Sequence, residues 1–333
     1  MAYIYKKTIG NKAYYYLRVS KKTGNKLITK DIAYLGNNIE DVRNKLNKLP
    51  KYKYAIRKAY RTINNFIESN IYKEKVLALN LKKDFYLEYN DLIDAEACKL
   101  HFNKVFNKYD DVTKKEIFKN FIVEFTFNTT SIEGNTISLK ETRNLLIENL
   151  TPKNKSLREI YDIQNTENVF FNVLDIKQDL SNDFIESVHK GLMANIDSRW
   201  GYRTRDVIVI KSNFKATPAP YVKTDMNILL KWYDANKTRL HPLALATIFH
   251  HKFEKIHPFM DGNGRTGRIL LNFILIKNKF PPVIIYKKNR FNYLEALKKA
   301  DRCGLTELNK DYYSNLNSFI SNELNESYWN IFL

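Results

Sequence analysis

Cysteine is scarce in this chain. Cys98 and Cys303 are its two thiols, far apart and without ligand-like spacing, which argues against a disulfide framework and a cysteine zinc site. Long apolar runs are missing too. The most apolar stretch, ILLNFILI at Ile269–Ile276, is far too short to span a bilayer, and the first residues form no apolar signal region. There is no internal repeat. These absences lead to the expectation of a soluble, cytoplasmic protein with no membrane partner. Acidic residues are in deficit, with 36 Asp and Glu against 55 Lys and Arg, for a net charge of +19. Between Met1 and Tyr60 there are 15 Lys and Arg and 3 Asp and Glu, so +12 of that total lies in one end. Such an end attracts nucleic acid, acidic protein or anionic headgroups, or simply keeps a tyrosine-rich segment in solution.

A length of 333 residues suits two or three compact units, or one large helical core with appendages. The apolar share, 44%, with 22 tyrosines and 20 phenylalanines, is enough for a bulky core. Tyr3–Thr8, Lys12–Ser20 and Lys26–Tyr34 are rich in Tyr, Ile, Val and Thr and are separated by GN and KTGN turn signals, so they read as three strands. Tyr14, Tyr16 and Arg18 would share one face of the second. Packing against the following helix is the expected role of these tyrosines, with base stacking as the alternative.

Beyond Asn38 the pattern turns helical, with YDDVTKK (Tyr109–Lys115) as the clearest internal linker. Ile117, Phe118, Phe121, Ile122 and Phe125 then fall at helical spacing. SLKE at Ser138–Glu141 and SLRE at Ser156–Glu159 are capping boxes that start two helices. Val207–Val222 (VIVIKSNFKATPAPYV) is β-prone and proline-bearing, consistent with a short hairpin or flap. Helical signal fills Lys223–Trp232, His241–Lys255, Asn263–Asn278 and Arg290–Ala300. The expected division is a basic β element at 1–37, a helical linker at 38–112, a core at 113–302 and a C-terminal helix at 303–333.

The densest chemistry is HPFMDGNGRTGR, His257–Arg268. Pro258 stops one helix, and the glycines let the chain turn into the next. The backbone N–H groups of Gly262, Asn263 and Gly264 then converge at a helix N-terminus, an arrangement that binds phosphate. Arg265 and Arg268, three apart, project from one face and can hold further phosphate oxygens. Asp261 is an oxygen ligand suited to Mg²⁺, and His257 titrates near neutrality and can take a proton from a hydroxyl. Each feature alone has a bland counterpart: a helix start, a packed histidine, two surface ion pairs. His250 and His251, adjacent on a helix, point about 100° apart and so do not share a ligand set. They read as residues that pack or that support the site's side chains from behind.

The stretch resembles the signature of the Fic family, His-x-Phe-x-(Asp/Glu)-Gly-Asn-Gly-Arg-x-x-Arg, at every fixed place. TTSIEGN, Thr129–Asn135, resembles the family's inhibitory motif, (Ser/Thr)-x-x-x-Glu-(Gly/Asn), through Thr129, Glu133 and Gly134. Fainter echoes, among them Gly201–Ile210 and the HHKFEKIHPF lead-in, extend the resemblance from about Phe118 to Asp301. It implies a mainly α, Fic-type helical bundle with a β-hairpin flap near Val209–Ala216, preceded here by the small three-stranded element. It also implies Mg²⁺-dependent transfer of AMP from ATP to a Ser, Thr or Tyr hydroxyl of a protein target, or of the protein itself. His257 would be the base, Asp261 the Mg²⁺ ligand, and Gly262, Asn263 and Gly264 the anion hole. Arg265 and Arg268 would take the β- and γ-phosphates, and Glu133 would pair with Arg268 and block the site. Removal of AMP at the same site, another phosphate-containing donor, nucleic-acid binding through the basic sheet and self-association stay open at this point. Tyr293 reads as a core residue, with the adenine side as the alternative.

Overall fold

The computed structural model describes residues 2–10, 12–24, 26–174, 178–207 and 215–333. It divides into two compact units, Met1–Leu81 and Lys82–Phe332, a division that falls inside the expected helical linker.

In the first unit, β1 (Ala2–Ile9), β2 (Lys12–Thr23) and β3 (Lys26–Gly36) form an antiparallel sheet in sequence order. Gly10 and Gly24 make the two turns, both at φ 59°, where a side chain would be strained. The register sets Tyr5 opposite Tyr16 and Tyr16 opposite Tyr34. Three helices follow, α1 (Ile39–Asn47, capped by the Asn38 side chain), α2 (Lys53–Lys58) and α3 (Tyr60–Leu77). Ile4, Tyr15, Leu17 and Leu35 bury their side chains with Ile39, Val42, Ile63 and Ile67, and Ala13 and Val19 pack on the same cluster. Because side chains alternate along a strand, that choice turns Tyr14, Tyr16 and Arg18 the other way. The expectation that these two tyrosines pack on the helix is therefore corrected. Tyr15 is the one that packs, its hydroxyl donating to Glu74 at 3.1 Å.

The second unit contains, among its described residues, ten α-helices. They are α4 (Tyr89–Lys104), α5 (Asp111–Ile132), α6 (Leu139–Glu148), α7 (Leu157–Leu174), α8 (Asn182–Leu192), α9 (Val222–Asn236), α10 (Pro242–Ile256), α11 (Asn263–Lys277), α12 (Arg290–Ala300) and α13 (Lys310–Ile331). The fold class is the expected one, mainly α with a small N-terminal sheet. YDDVTKK is not a linker here. Asp110 caps α5 by accepting from Thr113 N–H at 3.0 Å, and the helix begins at the next residue. Both capping boxes form: Ser138 N–H donates to Glu141 at 2.8 Å, and Ser156 N–H to Glu159 at 3.1 Å. The core of the expected flap, residues 208–214, lies outside the described residues. Its proline-rich end is helical, since Ala219–Tyr221 form a 3₁₀ turn leading into α9. α10 and α11 are buried along almost their whole length, and α11 also meets α5, α7 and α8. The site therefore rests on the most enclosed helices of the unit.

Candidate active site

α10 ends at His257, which adopts a left-handed backbone, φ 54°, with its N–H bonded to Phe253 C=O at 3.0 Å. Pro258 has no N–H with which to continue the helix. The loop is closed by Asn263, the first residue of α11. Its side chain accepts from Phe259 N–H at 2.9 Å and donates to Phe259 C=O at 2.9 Å. Both ends of that side chain are thus committed to the backbone, and the contribution Asn263 can make to an anion is its own N–H. Gly262 precedes α11 at φ 76°, and a Cβ there would meet Met193 Sδ at 3.0 Å. Asp261 accepts from Gly262 N–H at 2.6 Å and is ion-paired with Arg158 of α7. Burial pushes its carboxyl pKa up, but Arg265, the Gly262 N–H and Arg158 outweigh burial and leave it below the ordinary value. The His257 imidazole is bonded to the Glu254 carbonyl, and burial lowers its pKa from the usual 6.5. It is therefore neutral and basic at neutral pH.

The two arginines are buried, each about 3% exposed, and each meets a carboxylate. Arg265 pairs with Asp162 of α7 and lies 3.8 Å from Asp261. Arg268 donates through Nε to Thr129 Oγ1 at 2.7 Å, and through Nη2 to Thr129 C=O at 3.0 Å and to Glu133 Oε1 at 2.7 Å. Glu133 is the residue at which α5 ends, followed by Gly134 at φ 106°. Its carboxylate also lies over the start of α11, where a Cβ on Gly264 would be 2.1 Å from Glu133 Oε1. A negatively charged group thus occupies the space above the free N–H groups of a helix N-terminus, beside a buried guanidinium. Neighbouring residues pin it there. Asn135 Nδ2 donates to Glu159 C=O at 2.9 Å, and Thr136 donates through N–H and hydroxyl to the Glu159 carboxylate at 3.0 and 2.6 Å. The Thr136 bonds, with those from Ser156, hold the Glu159 carboxyl pKa down at about 2.

Residues 179–275 match the model of the Fic/DOC family. They are a Fic domain. Relatives include protein adenylyltransferase fic-1 of Caenorhabditis elegans, 33% identical over 53% of this chain and 36% of its own length. The protein adenylyltransferase Fic of Nematostella vectensis is 29% identical over 71% of this chain and 56% of its own. The chain thus spans roughly a third to a half of the length of these relatives. The solved structure of C. elegans Fic-1 (residues 134–508) superposes with a TM-score of 0.61 at 26% identity, covering 72% of this chain and 70% of that one. A Fic-domain signalling protein of Bacteroides thetaiotaomicron superposes at 0.65 with 24% identity, over 71% and 95%, and supports the fold.

Around the Fic domain's loop stand residues that the sequence reading passed over. His189 of α8 stacks flat on Phe259, ring centroids 3.7 Å apart, and donates through Nε2 to Asp261 C=O at 3.0 Å. Burial drops its pKa to about 4, so it acts as a neutral donor that fixes the loop. Arg203 sends its side chain into the protein. Nε donates to His257 C=O at 2.8 Å, Nη1 to Arg205 C=O at 3.1 Å and Nη2 to Thr217 C=O, while its backbone N–H donates to Pro258 C=O at 2.9 Å. Arg158 and Asp162 lie four apart on α7, the first inside the SLRE capping box and the second one turn beyond it, a use that the sequence does not announce. His250 and His251 are packing residues, as expected: His250 bonds the buried Tyr293 hydroxyl at 2.6 Å, and His251 the Tyr313 hydroxyl and Asp301, both at 3.0 Å. Tyr293 is a core residue. No described helix is long and apolar enough to cross a membrane.

Proposed function

We propose that this chain is a protein adenylyltransferase held inactive by Glu133. The observation that carries the reading is the Glu133 carboxylate seated over Gly264 and bonded to Arg268 at 2.7 Å, where a phosphate would find its donors. ATP is the donor, and its β- and γ-phosphates lie along the N–H groups of Gly262, Asn263 and Gly264. Arg265 and Arg268 neutralise them once their carboxylate partners yield. His257 accepts the proton of a Ser, Thr or Tyr hydroxyl on a protein target or on the chain itself. The hydroxyl oxygen bonds to the α-phosphorus, the bond to the β-phosphate oxygen breaks, and pyrophosphate leaves with its charge held by the arginines. Among the described residues no cluster of three or more ligating side chains stands ready for a metal. A single carboxylate, Asp261, nonetheless suits Mg²⁺, which takes one or two carboxylates and fills its remaining positions with phosphate oxygens and water. When bound, Mg²⁺ would supply charge neutralisation at the phosphates. The two buried thiols, neither in a disulfide, suit the reducing cytoplasm.

Mass spectrometry after incubation with ATP and Mg²⁺ tests the reading. Glu133→Gly is expected to gain an added AMP, and Glu133→Gly with His257→Ala to lose it by a factor of about 10² or more. A Glu133→Gly protein that binds ATP yet labels neither itself nor any partner overturns it. If Glu133→Gly instead stops release of AMP from a modified protein, the site works in the hydrolytic direction.

A further inference from the structure

The outward face of the N-terminal sheet stands apart from the buried cluster of the first unit. Ala13, Tyr15, Leu17 and Val19 of β2 turn toward the helices, so Lys12, Tyr14, Tyr16, Arg18 and Lys22 turn away from them. The register adds Tyr3, Tyr5 and Lys7 from β1 and Tyr34 from β3 to that face. Tyr5, Tyr16 and Tyr34 therefore form one row across the three strands. Tyr16 and Tyr34 have ring centroids 5.2 Å apart, and Tyr34 is 54% exposed. The Arg18 guanidinium lies over the Tyr5 ring, 3.5 Å from its centroid. Asp31 grips its edge in two bonds of 2.6 and 3.0 Å, so the guanidinium is held as a plane. Asp31 is the single acid in the three strands, and Arg18 neutralises it. What remains uncompensated on this face is positive: Lys7, Lys12 and Lys22, all exposed.

We propose that this face binds single-stranded nucleic acid, with bases stacking on Tyr16, Tyr34 and the Arg18 plane and phosphates meeting the lysines. Charge selects a polyanion. The row of rings selects one that has flat groups to stack, which an acidic peptide lacks. Shape selects a single strand, because a duplex groove admits a protruding helix or a two-stranded ribbon, whereas this surface is a sheet three strands wide.

Fluorescence anisotropy of the full chain with a labelled 20-nucleotide single strand, as RNA and as DNA, reads the proposal. It does so independently of any transferase activity, so either reading can fail without the other. Three lysine contacts imply a log–log salt slope of about −2, a loss of roughly twentyfold between 50 and 200 mM salt. Lys7→Gln with Lys22→Gln should flatten that slope by about 1.4. Tyr16→Ala and Tyr34→Ala should each weaken binding by about 5- to 150-fold, with the melting curve as the control for folding. Binding of RNA alone, DNA alone or both supports the proposal and names the source. No binding at 50 mM salt, affinity unmoved by the tyrosine variants in folded protein, tighter binding of a duplex, or equal competition by poly-glutamate would each overturn it.

Discussion

In the candidate active site Arg265 and Arg268 are buried and each meets a carboxylate: Arg265 meets Asp162, and Arg268 meets Glu133. On the N-terminal sheet the lysines stand in water, and the one acid is already spoken for by Arg18. Both regions are rich in positive charge, yet the first holds its charge in reserve and the second displays it. A buried guanidinium without a partner costs too much to leave bare, so the fold pairs each one with a carboxylate. An exposed ammonium has water as its partner and needs none. The count of charges in a segment therefore says less about its chemistry than the company each charge keeps.

Three changes probe this contrast. The largest effect is expected within β2, where neighbours in sequence face opposite ways. Leu17→Ala should lower the stability of the first unit by about 2–5 kcal/mol, through lost burial and the cavity left behind. Tyr16→Ala should cost it less than about 1 kcal/mol. Hydrogen exchange across residues 2–77 separates the two, and equal losses would mean that the sheet has no free face. Thr129→Val comes next, since it keeps the shape but removes the hydroxyl that accepts from Arg268 Nε. Leaving that buried donor unmet should cost about 1–3 kcal/mol in thermal unfolding. An unchanged midpoint would show that Arg268 is less enclosed than its surroundings indicate. The smallest effect is one of pH. Burial lowers the His257 pKa, so its base form persists as pH falls through 6.5. The acid limb of kcat/KM for Glu133→Gly should accordingly have its midpoint below 6.5, and a midpoint above it would point to a different proton acceptor.

Much of this was legible in the sequence, and the reasons are physical. Strands, helices and capping boxes are local, written in alternation, period and hydrogen-bonding side chains within four residues. β1, β2 and β3, the cap at Ser138 and the start of α11 at Asn263 fall where those patterns put them. The Glu133–Arg268 pair, 135 residues apart, came through resemblance alone, since no local rule joins two distant helices. Asp162, Arg158, His189 and Arg203 were missed because their roles exist only once α7, α8 and Arg203 come up against the loop. Tyr16 was misjudged because packing favours burying aromatics, and the register of one strand decides which of three consecutive tyrosines goes inside.

Asn263 links Phe259 to the first turn of α11 with a pair of hydrogen bonds. The histidine side of the loop and the helix that begins the anion cradle are thereby coupled as one rigid body with few internal degrees of freedom. Glu133 lies outside that body, at the terminus of α5, where the Asn135 and Thr136 bonds to Glu159 fasten the chain. Of that clasp Thr136 is exposed and Glu159 partly so, while Asn135 is buried. The carboxylate over α11 and the loop beneath it are thus held by separate sets of hydrogen bonds.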